Sequence, residues 1–199
     1  MKFVLFLAIP ATFALMLMSY DIIEILFQRD EFSSNSTRET ALMLNLLVLG
    51  LPAYVLIKIF QVKFYAQLDT ITPVVISIFC IIINVVISIL LMGKLKYLGV
   101  AIANSIAGWV NIILLVYISG NKFGFSFKNN ILKEVAKMVV AATMMVIFIY
   151  YMQSQLWAFN KHLIFIVEVI FGAAIYFFMC YLLKIEIYGV FKNILKKNK

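Results

Sequence analysis

Long apolar runs, each closed by a short polar break, dominate the pattern along the chain. Six stretches, roughly 3–27, 40–60, 73–92, 98–119, 132–152 and 162–183, each hold about the 20 apolar residues a helix needs to cross a bilayer core. The runs are continuous and lack the alternation of a barrel wall, so they predict helices. Turn formers fill the gaps: Ser33–Thr37, Asp69–Pro73, Gly93, Gly120–Asn130 and Gln153–Asn160. The fold class expected is all-α, a polytopic integral membrane protein of six transmembrane helices with both termini on one side.

Composition supports this reading. Of 199 residues, 65% are hydrophobic and 13% charged, with mean hydropathy +1.05; soluble domains average roughly 45–50% and 25%. Disulfide scaffolds, disordered tails and ordinary cytosolic enzymes are excluded. Cys80 and Cys180 lie inside apolar runs and read as small buried hydrophobes. The first run continues to Phe27 without a small-x-small cleavage site, so it reads as a span and not as a cleaved leader.

The net charge of +8 has a membrane explanation. One side of the six-span plan holds Lys2, Lys58, Lys63, Lys122, Lys128, Lys133, Lys137, Lys184, Lys192, Lys196, Lys197 and Lys199. The other holds Arg29, Arg38, Lys94, Lys96 and Lys161. Twelve against five places both termini in the cytoplasm. The basic tail then lies on the anionic inner leaflet, and no nucleic-acid partner is called for.

Several residues depart from plain apolar helix. Pro10 and Pro52, the latter two residues after Gly50, stand inside spans and predict bends, either static or part of a moving element. Gly99, Ala103, Ala107 and Asn111 repeat every four residues, as do Cys80, Asn84 and Ser88. A six-residue link, Gly93–Leu98, makes these helices antiparallel neighbours, so the stripes read as a packing seam; Asn84 and Asn111 are alternatively cavity-lining. Glu168 lies about 10 Å from the outer helix end and should face a groove, face a partner, or be protonated. Asp21 and Glu24 read as an acidic rim, and Lys58 as a snorkelling side chain. His162 reads as an interfacial anchor. No phosphate loop, metal-ligand spacing or catalytic triad can be assembled, so no enzyme, metal or cofactor is expected.

Four segments carry a family resemblance: Leu7–Ala11; Ile25–Phe32; Gly50-Leu51-Pro52-Ala53-Tyr54-Val55-Leu56-Ile57-Lys58; and Phe64-Tyr65-Ala66-Gln67-Leu68-Asp69-Thr70-Ile71-Thr72-Pro73-Val74. The last is the most specific, and its chemistry is sound, because Asp69 and Thr70 can cap a helix that has Pro73 in its first turn. The sequence resembles the MurJ (MviN) lipid II flippases of the multidrug/oligosaccharidyl-lipid/polysaccharide exporter superfamily. Asp30 stands where that family usually has glycine, so the turn there is built differently.

The resemblance implies two helical lobes around a V-shaped cavity, followed by two helices that form a lipid groove, with these six spans matching the ninth to the fourteenth. Residues 1–120 would be four helices of the second lobe, 121–131 a cytoplasmic linker, 132–184 the lipid-groove hairpin and 185–199 a basic tail. Pro10, Gly50, Pro52 and Lys58 become hinge or transport candidates, as do Asp69, Thr70, Thr72 and Pro73 in a cytoplasmic gate, Lys63 to Pro73. Asn84, Asn111 and Glu168 become cavity or groove candidates. The implied function is translocation of the undecaprenyl-linked peptidoglycan precursor, lipid II, across a bacterial inner membrane by alternating access. The family's cavity arginines lie largely in helices absent here, and this chain has only Arg29 and Arg38. It is therefore expected to be incomplete alone and to need the first eight helices, on the same or a separate chain. The alternatives are a flippase for another polyprenyl-linked glycan, or a non-transporting remnant or assembly module.

Overall fold

In the computed structural model, which describes residues 1–29, 33–124, 129–155 and 161–185, the helices are α1 (Lys2–Leu17), α2 (Ser19–Phe27), α3 (Ser34–Val48), α4 (Leu51–Ala66), α5 (Ile71–Leu95), α6 (Tyr97–Phe123), α7 (Asn129–Gln155) and α8 (Lys161–Leu182). Five stretches are long and apolar enough to cross a membrane: Ser34–Ala66, Ile71–Leu95, Tyr97–Phe123, Ile131–Ser154 and Leu163–Leu182. The pair α1–α2 makes a sixth when counted as one broken span. Asp30, most of the 121–131 linker's middle and nearly all of the 185–199 tail lie outside the described residues.

Local chemistry sets the helix ends. Ser33 caps α3 by accepting from the Ser36 amide at 3.3 Å. At the end of α4, Leu68 takes a left-handed φ of 60°, and the amides of Leu68 and Asp69 donate to the carbonyls of Tyr65 and Phe64. That is a Schellman ending, with leucine where glycine is usual. Lys184 closes α8 in the same way, with φ 48° and an Ile185 amide bond to the Cys180 carbonyl.

Three expectations need correction. First, the turn near Pro10 lies elsewhere: α1 runs unbroken through Pro10, and the chain bends by 70° after Leu17. Pro10 cannot donate to the Phe6 carbonyl, but the Tyr176 hydroxyl of α8 donates to that oxygen at 2.8 Å. At the bend itself, Ser19 Oγ donates to the Met16 carbonyl at 3.3 Å. Second, Pro52 does stand inside a span, Ser34–Ala66, but the distortion is a local break at Leu49–Gly50, and Pro52 falls in the first turn of α4 after it. Third, the link between α5 and α6 is Lys96 alone (φ 49°, ψ −131°), and Gly93 lies within α5.

The bundle has two apolar cores. One joins α1, α7 and α8 through Leu5, Phe6, Ile9, Met138, Met145, Ile149, Tyr176 and Cys180. The other joins α4, α5 and α6 through Ala53, Phe60, Phe64, Ile76, Cys80, Ile112 and Leu115. Leu56 packs against both. The two cysteines are buried and unbonded, as their apolar surroundings predict. The α5–α6 hairpin is the tightest pairing: a β-carbon added at Gly99 would lie 2.8 Å from Leu91 Cβ and 2.9 Å from its backbone carbon.

Candidate functional site

Four constellations hold the residues singled out in the sequence. The first is the turn between α4 and α5. Asp69 accepts from the Thr72 amide (3.0 Å) and the Thr72 hydroxyl (2.8 Å), and Lys122 of α6 reaches Asp69 Oδ2 at 2.8 Å and Thr72 Oγ1 at 2.8 Å. Thr70 occupies the N-cap position without a side-chain capping bond, and Pro73 is buried in the first turn. One turn back on α4, Lys63 Nζ donates to Ser119 Oγ of α6 at 2.8 Å. Two lysine links thus fasten the ends of α4, α5 and α6 together.

The Lys122 ammonium, followed by the Thr72 amide and hydroxyl, holds the Asp69 carboxyl down from its ordinary 3.8 to about 2. A carboxyl whose folded pKa is depressed contributes its full stabilisation above 3.8 and loses it as pH falls through about 2. An NMR titration of the Asp69 carboxyl carbon should therefore show protonation near pH 2; a midpoint at the ordinary value would mean that the clamp is open in solution.

The second constellation is the α3–α4 break. Its freed carbonyls are taken by one face of α6: Ser105 Oγ donates to Leu46 O, and Trp109 Nε1 donates to Leu49 O at 3.1 Å. The Tyr54 hydroxyl donates to the Asn104 carbonyl at 2.7 Å. Gly50 permits this approach, because a β-carbon there would stand 2.9 Å from the Tyr54 ring and 3.2 Å from Ser105 Cα. Lys58, further along α4, is exposed.

The third is an apolar groove of about 1220 Å³ between α1, α4, α6 and α7. Leu5, Ile9 and Phe13 line it from α1, Pro52, Leu56 and Phe60 from α4, Trp109, Ile112 and Val116 from α6, and Lys133, Val135 and Val139 from α7. It is built by α7 with the earlier helices; α8 contributes no lining residue, and neither Glu168 nor Asn111 opens into it.

The polar residues inside the helices form the fourth group. Asn84 Nδ2 donates to Asn104 Oδ1 at 3.2 Å, and Ser88 Oγ donates to Asn84 Oδ1 at 3.2 Å. The two helices are neighbours as expected, but Asn84 pairs with Asn104 and not with a residue of the four-spaced stripe, and Gly99 approaches Leu91. Asn111 is buried, and its Oδ1 has no hydrogen-bond partner. Glu168, 2% exposed, accepts from Gln153 Nε2 at 3.3 Å. The side chain of His162 lies outside the described residues. Among the described residues no group of three or more His, Cys, Asp or Glu is placed to hold a metal ion.

Ser105, Trp109, Asn104, Ser119 and Gln153 were not singled out by sequence reasoning. The only signal was polar residues on otherwise apolar helices, with Ser105 and Trp109 one turn apart on α6.

Comparison with known proteins identifies the plan. The family "Lipid II flippase MurJ" matches residues 1–170. A probable lipid II flippase MurJ of Rickettsia prowazekii is 37% identical over 92% of this chain and 38% of its own length. One from Rhizobium tropici is 37% identical over 72% of this chain and 27% of its own. A solved lipid II flippase MurJ in an inward closed conformation superposes with TM-score 0.78 at 25% identity, over 92% of this chain and 37% of that one. The chain thus spans well under half the length of these relatives. With a match over most of its residues and the same helical arrangement, the chain belongs to the lipid II flippase MurJ family.

Proposed function

We propose that this chain supplies the second part of a flippase that carries undecaprenyl-linked peptidoglycan precursor from the inner to the outer leaflet of a bacterial inner membrane. The apolar groove between α1, α4, α6 and α7 carries the reading beyond family membership. A largely apolar lining, aliphatic and aromatic, with Lys133 on it suits a long polyprenyl chain whose phosphate end is anionic. Residues 1–120 act as four helices of the second lobe, 121–131 as a linker, 132–184 as a hairpin whose first helix, α7, walls the groove, and 185–199 as a basic anchor, with both termini cytoplasmic by the lysine asymmetry. The complementary helices that the relatives carry in the rest of their length complete the cavity, on the same or a separate polypeptide. As part of that assembly the chain serves transport and not catalysis.

Alternating access needs points where helices change angle. The bend after Leu17, beyond Pro10, and the break at Leu49–Gly50, with Pro52 in the turn that follows, serve as those points, and the Asp69–Thr72–Lys122 clamp with Thr70 and Pro73 forms the cytoplasmic gate. Lys58 lies exposed at the middle of α4, about two turns before that end. In vesicles that hold this chain with the complementary helices, labelled lipid II should move between leaflets. Pro52→Ala allows α3 and α4 to join into one straight helix and should slow that movement several-fold at unchanged protein level; full activity would remove the break from the mechanism. Transport of other polyprenyl-linked glycans but not lipid II would move the substrate assignment to the wider superfamily.

A further inference from the structure

At the end of the bundle remote from Met1, side chains from three helices meet. Gln153 of α7 directs its Nε2 at Asp21 Oδ2 of α2 and at Glu168 Oε2 of α8, 3.3 Å from each. Glu168 is 2% exposed, and its second oxygen, Oε1, is buried with no hydrogen-bond partner. An ionised carboxylate with one bare oxygen in a low-dielectric interior is costly, and a second carboxylate held by the same amide adds like-charge repulsion. A metal ion is a poor remedy. The amide N–H group occupies the point between the two carboxyl oxygens where an ion would have to sit, and among the described residues no three-ligand cluster exists.

We propose that Asp21, Gln153 and Glu168 form a proton-binding site in which Glu168 carries the proton on Oε1, and that loss of this proton releases α2 from the α7–α8 hairpin. In the protonated form, Glu168 Oε2 is the carbonyl that accepts from Gln153. On release the proton passes to water at this end, and the new carboxylate repels Asp21 across the shared amide. The other titratable side chains at this end are Tyr20 and Glu24 on α2, Arg29 just after it, Arg38 and Glu39 on α3, Lys94, Lys96 and Tyr97 at the α5–α6 turn, and Tyr150 and Tyr151 on α7, and α8 opens with Lys161 and His162. The segment that would move is suited to it: α2 follows a 70° bend and packs chiefly on α3, and the Gln153 bridge links it to the hairpin.

The test uses the full chain in liposomes and does not depend on transport, so its failure is distinct from failure of the flippase reading. Infrared spectra of protein labelled with 13C-glutamate at neutral pH should contain a protonated-carboxyl band that shifts with the label and is missing from Glu168→Gln. Spin labels at Leu26→Cys and Leu163→Cys, both at exposed sites, should report a distance that lengthens with rising pH along a one-proton curve. Glu168→Gln should hold that distance fixed, and Glu168→Asp should restore the response at a different midpoint. The absence of the band in the unsubstituted protein overturns the proposal whether or not Glu168→Gln accumulates. So does a distance that follows sodium at constant pH and ignores pH, or a Glu168→Gln variant that titrates like the parent.

Discussion

Gly50→Val is expected to lower the stability of the bundle by about 1–3 kcal/mol, the usual cost of forcing extra methyl groups into a packed contact. The site has little room to yield. A β-carbon would meet Tyr54 Cε2 at 2.9 Å, Ser105 Oγ at 3.1 Å and Ser105 Cα at 3.2 Å. The last of these is backbone, and Tyr54 is held by its hydroxyl bond to the Asn104 carbonyl and packs over Gly108, where a β-carbon would lie 3.1 Å from the ring. Relieving the clash means pushing α6 away from the α3–α4 break. That would strip the Ser105 and Trp109 donors from the Leu46 and Leu49 carbonyls and leave polar backbone bare in the membrane. Gly93 is the control, since nothing lies within 4 Å of a β-carbon there. Unfolding in mixed micelles should find Gly93→Val nearly neutral; equal losses at both glycines would mean that the close approach of α6 is not a feature of the folded chain.

A second large effect should appear at Tyr176. Its hydroxyl satisfies the carbonyl that Pro10 leaves without a donor, so Tyr176→Phe should cost about 1–2 kcal/mol by orphaning a buried acceptor. The explanation makes a sharper demand. In a Pro10→Ala background the amide at position 10 can again donate to the Phe6 carbonyl, and the same Tyr176→Phe change should then cost less than about 0.5 kcal/mol. Equal costs in the two backgrounds would show that the hydroxyl does not act by replacing the Pro10 amide, since the change leaves the ring packed on Phe6, 5.3 Å between centroids.

These two sites also show what a sequence can disclose. The spans were legible because hydropathy is summed over some 20 residues and tolerates local irregularity. The Asp69–Thr72–Pro73 helix start was legible because its bonds are local, three residues apart. Pro10 was readable only halfway. The local rule supplies a missing donor and hence a bend, but the replacement donor comes from Tyr176, 170 residues away. The α3–α4 break was hidden for the same reason, since its partners Ser105 and Trp109 lie 59 and 60 residues along the chain. Gly93 looked like a turn, yet the chain reverses at Lys96, in a backbone conformation that nothing about lysine announces. Glu168 was legible as an anomaly because carboxylates are rare in membrane spans. Its partner Gln153 was not, because it stands in a stretch that read as a loop.

The central claim is that the chain works as the second part of a lipid II flippase and needs the helices that its relatives carry in the rest of their length. Its most direct measurement is rescue of a flippase-depleted bacterium by this chain alone and by this chain co-expressed with the eight preceding helices, at matched levels in the membrane. Growth restored only by the pair is the predicted result. Growth restored by this chain alone would contradict the claim of incompleteness, and failure of the pair would contradict the assignment to lipid II transport.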